Sequence, residues 1–145
     1  MMNSNLTDRT ALARMLPEEF EHSREAGYAF RRELTHTVMA ALEAPAGWDM
    51  NGEFRGEFGG WFPVQVRFTP SHGGWTVAVC SPGAVSDRWL MVMLNADGRA
   101  VTVIRTLNRF EPQVINPVLC LAASLEEAGY SLAAITATLM QEAAR

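Results

Sequence analysis

The feature that most constrains the fold is a change in hydrophobic period along the chain. Phe30, Leu34, Val38 and Leu42 recur every four residues, one apolar stripe on a helix. From Trp48 to Leu107 the repeat shortens to two: Phe62, Val64, Val66 and Phe68 alternate with Gln65 and Arg67, and Trp75, Val77 and Val79 repeat the pattern. After Pro112 helical spacing returns. A chain with this order of periods cannot be all-helical or a repeating βαβ fold. It reads as α+β, with N-terminal helices, a central antiparallel meander of about four to five strands, and two C-terminal helices packed on the sheet.

Local signals set the boundaries. Residues 6 to 44 read as helical: Pro17 opens a segment whose Glu18, Glu19 and Glu21 suit a helix N-terminus, Gly27 is a candidate interruption, and Pro45 and Gly47 are the stop. Gln65 and Arg67 imply that the second face of their strand is wet. Arg88 to Leu94 is almost continuously apolar, as in a central strand, and Asn95-Ala96-Asp97-Gly98 signals a hairpin. Asn116-Pro117 reads as a cap and first turn of a helix lined by Val118, Leu121, Ala122 and Leu125; Gly129 suits its C′ position, and Ser131 caps a last helix carrying Leu132, Ile135 and Leu139. No repeat or linker divides residues 1–145, so a single domain is expected.

Composition narrows the chemistry. All twelve basic side chains are arginine and none is lysine, which excludes a Schiff-base lysine and the phosphate-gripping lysines of P-loops and kinases. A net charge of −4 argues against stable direct binding to nucleic acid. Met1 to Met15 lacks the apolar run of a secretion signal, and the longest apolar stretch, Pro117 to Leu125, is too short to span a bilayer. A soluble cytoplasmic protein without membrane association is expected. Cys80 and Cys120, in apolar surroundings and without a CxxC, read as buried thiols in a reducing compartment.

Candidate catalysts are sparse. His22, His36 and His72 share no metal-ligand spacing with each other or with the cysteines, so no metal or cofactor is expected. A Cys80–histidine pair is formally open but has no local support. Asn51 to Gly60 is rich in glycine, yet it lacks a Gly-Lys-Ser/Thr signature and a following helix start, and a twisted hairpin or bulged edge explains it. Charge is unevenly spread. Residues 17 to 57 hold nine acids and four arginines, a balance of −5, whereas residues 86 to 110 hold four arginines and two aspartates, a balance of +2. An acidic segment of this kind is either a solvated face or a docking surface for a basic partner.

Several ordered runs are recognisable. Arg31-Arg32-Glu33-Leu34-Thr35-His36, Trp48, Met50-Asn51-Gly52-Glu53, Glu57-Phe58-Gly59-Gly60 and Phe62-Pro63-Val64-Gln65-Val66-Arg67-Phe68-Thr69-Pro70 are followed by Cys80-Ser81-Pro82-Gly83, Leu121-Ala122-Ala123-Ser124-Leu125 and Gly129-Tyr130-Ser131. Together they resemble the plasmid SOS inhibition protein B family, PsiB. The resemblance implies no enzyme but an inhibitor of the bacterial SOS response, which binds the free RecA recombinase, hinders its nucleation on single-stranded DNA and so reduces LexA cleavage during conjugation. On this reading Glu18, Glu19, Glu21, Glu25, Glu53 and Glu57, which hold most of the excess negative charge, are the expected docking residues. The competing readings are an acidic DNA mimic occupying the recombinase's DNA site, and a small cysteine hydrolase.

Overall fold

The computed structural model describes residues 24–54, 64–72, 74–82 and 87–144, with residues 24–30, 53 and 54 described in their backbone only. Helix α1 (Arg24–Ala41) is followed by strands β1 (Asp49–Phe54), β2 (Val64–Thr69), β3 (Thr76–Cys80), β4 (Trp89–Leu94) and β5 (Ala100–Leu107), then by α2 (Pro112–Glu127) and α3 (Leu132–Ala143). The strands form one antiparallel sheet in the order β1-β2-β3-β4-β5. The fold is α+β, as the change of period requires.

The sheet's first face carries the main core. Val64, Val66, Phe68, Val77, Val79, Trp89, Met91 and Met93 meet Leu34, Val38 and Leu42 of the α1 stripe, Ile115 and Leu119 of α2, and Ile135 and Leu139 of α3. Each of these apolar side chains contributes roughly 1.5–3 kcal/mol by leaving water, which is why the four-residue and two-residue spacings dominate the local choice of structure. The expected break at Gly27 does not occur: α1 runs through it and ends at Ala41. Tertiary burial of the stripe overrides the modest helix penalty of one glycine. The part of the expected helical region before Arg24 lies outside the described residues, as does Phe62.

A second correction concerns the opposite face. Gln65 is only 6 % exposed and Arg67 is half-buried, so this face is not the wet one expected from their polarity. Their cross-strand partners are Cys80 and Ala78, which join Val92 and Leu94 in a smaller apolar cluster with Leu90 against it. Gln65 tolerates burial because its amide is satisfied: Nε2 donates to Cys80 Sγ (3.5 Å), and Oε1 accepts from Arg67 Nε (2.6 Å).

The β4–β5 hairpin forms at Asn95 to Gly98. Asn95 Oδ1 accepts from the amides of Asp97 (2.9 Å) and Arg99 (3.0 Å), and Gly98 supplies the left-handed φ of 79°. Helix α2 begins earlier than expected. Pro112 takes the first turn after Glu111, and Pro117 lies inside the helix, so Asn116-Pro117 is not its start. Asn116 bonds elsewhere, to the end of α1. The α2 C-terminus matches expectation: Tyr130 N donates to Leu125 O (3.1 Å) and Gly129 N to Glu126 O (3.0 Å), with Gly129 at φ 88°. Ser131 caps α3 by accepting from Ala134 N at 3.1 Å. Among the described residues no helix is long and apolar enough to cross a membrane.

Candidate functional site

Of the six carboxylates expected to dock a partner, Glu18, Glu19, Glu21 and Glu57 lie outside the described residues. Glu25 is placed by its backbone in the first turns of α1, and Glu53 stands opposite Gln65 on β1, at one edge of the sheet. The described acidic side chains of the same region are Glu33 on α1, Glu43 just past its end and Asp49 at the start of β1, all exposed. Of the arginines there, Arg32 is exposed, whereas Arg31 is 4 % exposed and withdrawn from the surface. Among these described side chains three carboxylates therefore meet solvent with one guanidinium. Among these five side chains an acidic bias is exposed, because burial withdraws Arg31 from the surface.

Polar groups also meet where sequence spacing gave no signal. A polar cleft of ≈ 380 Å³ is lined by Gly47, Trp48, Ser71, His72, Glu126 and Glu127, among others. The α1–β1 turn, the β2–β3 turn and the C-terminal end of α2 meet there. Ser71 Oγ donates to Gly47 O (2.6 Å), tying two of these turns together, and Trp48 stands edge-on to Trp75 with ring centroids 5.5 Å apart. The three segments are far apart in sequence, Ser71 and Gly47 by 24 positions and α2 farther still, so only the assembled fold reveals them as neighbours.

The cysteines differ from one another. Cys80 is buried, and burial pushes its thiol from the ordinary 9.0 up to about 11, with the Gln65 hydrogen bond and the Arg67 charge only partly offsetting this. It is protonated at neutral pH, the opposite of an activated nucleophile. Cys120 is exposed, which corrects its expected burial: it follows Leu119 on α2, and the roughly 100° turn per residue carries it off the buried stripe of Ile115, Val118, Leu119 and Ala122. His36 and His72 are both exposed. Among the described residues no three histidine, cysteine or acidic side chains gather to hold a metal.

The family model of the plasmid SOS inhibition protein PsiB matches residues 5–143. The chain belongs to the PsiB family. PsiB membership supports a role in plasmid SOS inhibition and places the chain among inhibitors, not in an enzyme family. In this PsiB chain many of the recognisable runs are fold-making residues. Arg31, Leu34 and Thr35 are buried in α1, Gly52 lies under that helix, and Ser81 extends the β2–β3 pairing, donating its amide to Val64 O and accepting from Val64 N, both at 2.9 Å. The side chains left for a partner in the first run are the exposed Arg32, Glu33 and His36.

Proposed function

We propose that this PsiB chain inhibits the host SOS response in the cytoplasm of a cell receiving a conjugative plasmid, by binding RecA that is not on DNA. Filament nucleation needs several recombinase protomers together, so sequestering a fraction of them lowers nucleation as a power of the free fraction. Less filament on single-stranded DNA means less LexA cleavage. Occupancy of a partner carries this output, and no turnover is involved. The observation that carries the reading is the family match over residues 5–143.

Docking is assigned to the acidic N-terminal region, with Glu18, Glu19, Glu21, Glu25, Glu53 and Glu57 as its core and Glu33, Glu43 and Asp49 as exposed neighbours. Its support is electrostatic: residues 17 to 57 hold nine acids against four arginines, and one of those arginines, Arg31, is buried. Such a surface steers a basic partner and gives a salt-dependent association rate. The decisive experiment is a pull-down of DNA-free RecA over a salt series, with crosslink mapping. Charge reversal of Glu18, Glu19 and Glu21 is expected to weaken binding and flatten its salt dependence; unchanged affinity and salt slope reject the acidic face. Competition by single-stranded DNA separates this reading from occupancy of the recombinase's own DNA site.

A further inference from the structure

Alternation along the strands gives the sheet two faces, and α1, α2 and α3 all pack on the first. The second face is buried as well. Ala78, Cys80, Val92 and Leu94 are each at most 7 % exposed. Yet the apolar cluster they form, with Leu90 against it, contains strand residues alone. Arg67 extends towards the β4–β5 hairpin, its Nη1 4.0 Å from the place a Cβ would take on Gly98, but it is itself half-buried and does not close the face. The buried band is narrow. Asn51 of β1 is exposed on one side of it, and on the other Val103, opposite Val92, is 41 % exposed. Three strands about 4.8 Å apart make a band roughly 10–14 Å wide, the footprint of a single segment with the diameter of a helix.

Chain length decides which segment can lie there. Beyond the described residues the longer stretches are 1–23, 55–63 and 83–86. Leu94 adjoins the β4–β5 hairpin, at the far end of β4 from Trp89 and two strands across from β2, so it stands roughly 19 Å from Val64. Residues 55–63 join the cross-strand partners Phe54 and Val64, must go out and return, and extend roughly 17 Å at most; residues 83–86 extend roughly 9 Å. Residues 1–23 have no return to make. Thr35 and Met39 of α1 lie over Gly52, and Arg24, about three turns before Thr35, stands roughly 10 Å beyond the Phe54 end of β1. From that end the chain has access to the second face, and the stretch from Arg24 back to Leu6 spans up to about 60 Å. Leu12, Met15 and Leu16 recur there at helical spacing. Three helices already fill the first face, so these side chains gain their roughly 1.5–3 kcal/mol each of burial on the second. We propose that residues 6–16 cover the second face of the sheet along β3, with Leu16 at the Cys80 end and Leu6 towards Leu94. Residues 17–23, with Glu18, Glu19 and Glu21, then join this cover to α1 at the end of the sheet that also carries Glu53. The packing stands without the RecA reading.

Cys80 reports on the cover from beneath. In a Cys120→Ala chain it is the only thiol, and its modification by a thiol reagent under native conditions at pH 8 measures how often the face is bared. Leu12→Asp/Leu16→Asp is expected to raise that rate about tenfold or more, with amide exchange in α2 and α3 unchanged. In the same background Met15→Cys or Leu16→Cys is expected to form a disulfide with Cys80 on oxidation by copper phenanthroline, whereas Glu33→Cys, exposed on α1, is not. An unchanged Cys80 rate, a rate raised instead by Phe58→Asp/Trp61→Asp, or a Cys80 crosslink that joins two chains would each overturn the proposal. Where the aspartates speed exchange throughout the chain, the crosslinks decide, and the absence of both overturns it.

Discussion

Asn116 of α2 closes the C-terminal end of α1: its Oδ1 accepts from Glu43 N at 3.0 Å and its Nδ2 donates to Ala41 O at 3.3 Å. Helix α1 has no basic residue in its last turn, so a side chain seventy-three positions away satisfies the end of the helix and joins the N-terminal and C-terminal helices. Asn116→Ala removes both bonds. A loss of about 1 kcal/mol is expected in urea unfolding, with an unchanged denaturant slope.

Gly52 is where α1 crosses β1. A methyl group there would lie 2.5 Å from Met39 Sδ and 2.6 Å from Thr35 Cγ2. The methionine end can swing aside, but the β-branched threonine in a helix cannot. Gly52→Ala is expected to cost about 1–3 kcal/mol, and Thr35→Ser in the same chain to recover part of it, since serine lacks that methyl and keeps the hydroxyl that donates to Arg31 O. A double-mutant cycle by chemical denaturation reads the coupling.

Ser81 holds the end of the β2–β3 ladder by accepting from the buried amide of Val64 at 2.9 Å. Ser81→Ala leaves that donor without its partner and is expected to destabilise by roughly 1–3 kcal/mol, with faster amide exchange at Val64 as the local signature.

The thiols should separate cleanly by reactivity. At pH 8 a thiol reagent is expected to modify Cys120 in the native protein and Cys80 only after unfolding. Because the folded-state pKa of Cys80 is raised from 9.0 to about 11, the unfolded chain loses this proton first as pH rises. The contribution to stability is fully present below pH 9 and is lost progressively towards pH 11. Cys80→Ala is expected to flatten that alkaline decline in a pH series of unfolding midpoints.

Much of the architecture is legible in the residues because hydrophobic period reports the buried face directly. Leu34, Val38 and Leu42, the alternation of Val64, Val66 and Phe68, the turn at Asn95 to Gly98, Gly129 and the Ser131 cap all stand where local chemistry requires. Local chemistry failed where a residue's partner is distant. Asn116 resembles a helix start because asparagine before proline usually is one, yet Pro112 already supplies the first turn. Gln65 and Arg67 resemble a solvated face, yet their polar atoms satisfy one another beside Cys80 and Ala78. The candidate docking site was legible only as a charge balance, since net charge is a sum over residues whereas a surface is an arrangement of them.

By itself, then, the sequence determines the type and order of the elements, the turns and caps with local side-chain partners, the absence of amine chemistry and the acidic bias before residue 57. Tertiary structure alone decided that Arg31 leaves the surface, that Asn116 serves α1, that Gly52 must lack a side chain, and that β5 is the last strand of the sheet among the described residues. The reason is physical. Periodicity, capping and charge depend on neighbours within a few residues, whereas burial and edge exposure depend on which distant strands and helices meet, and many arrangements of the same elements satisfy the local rules equally well.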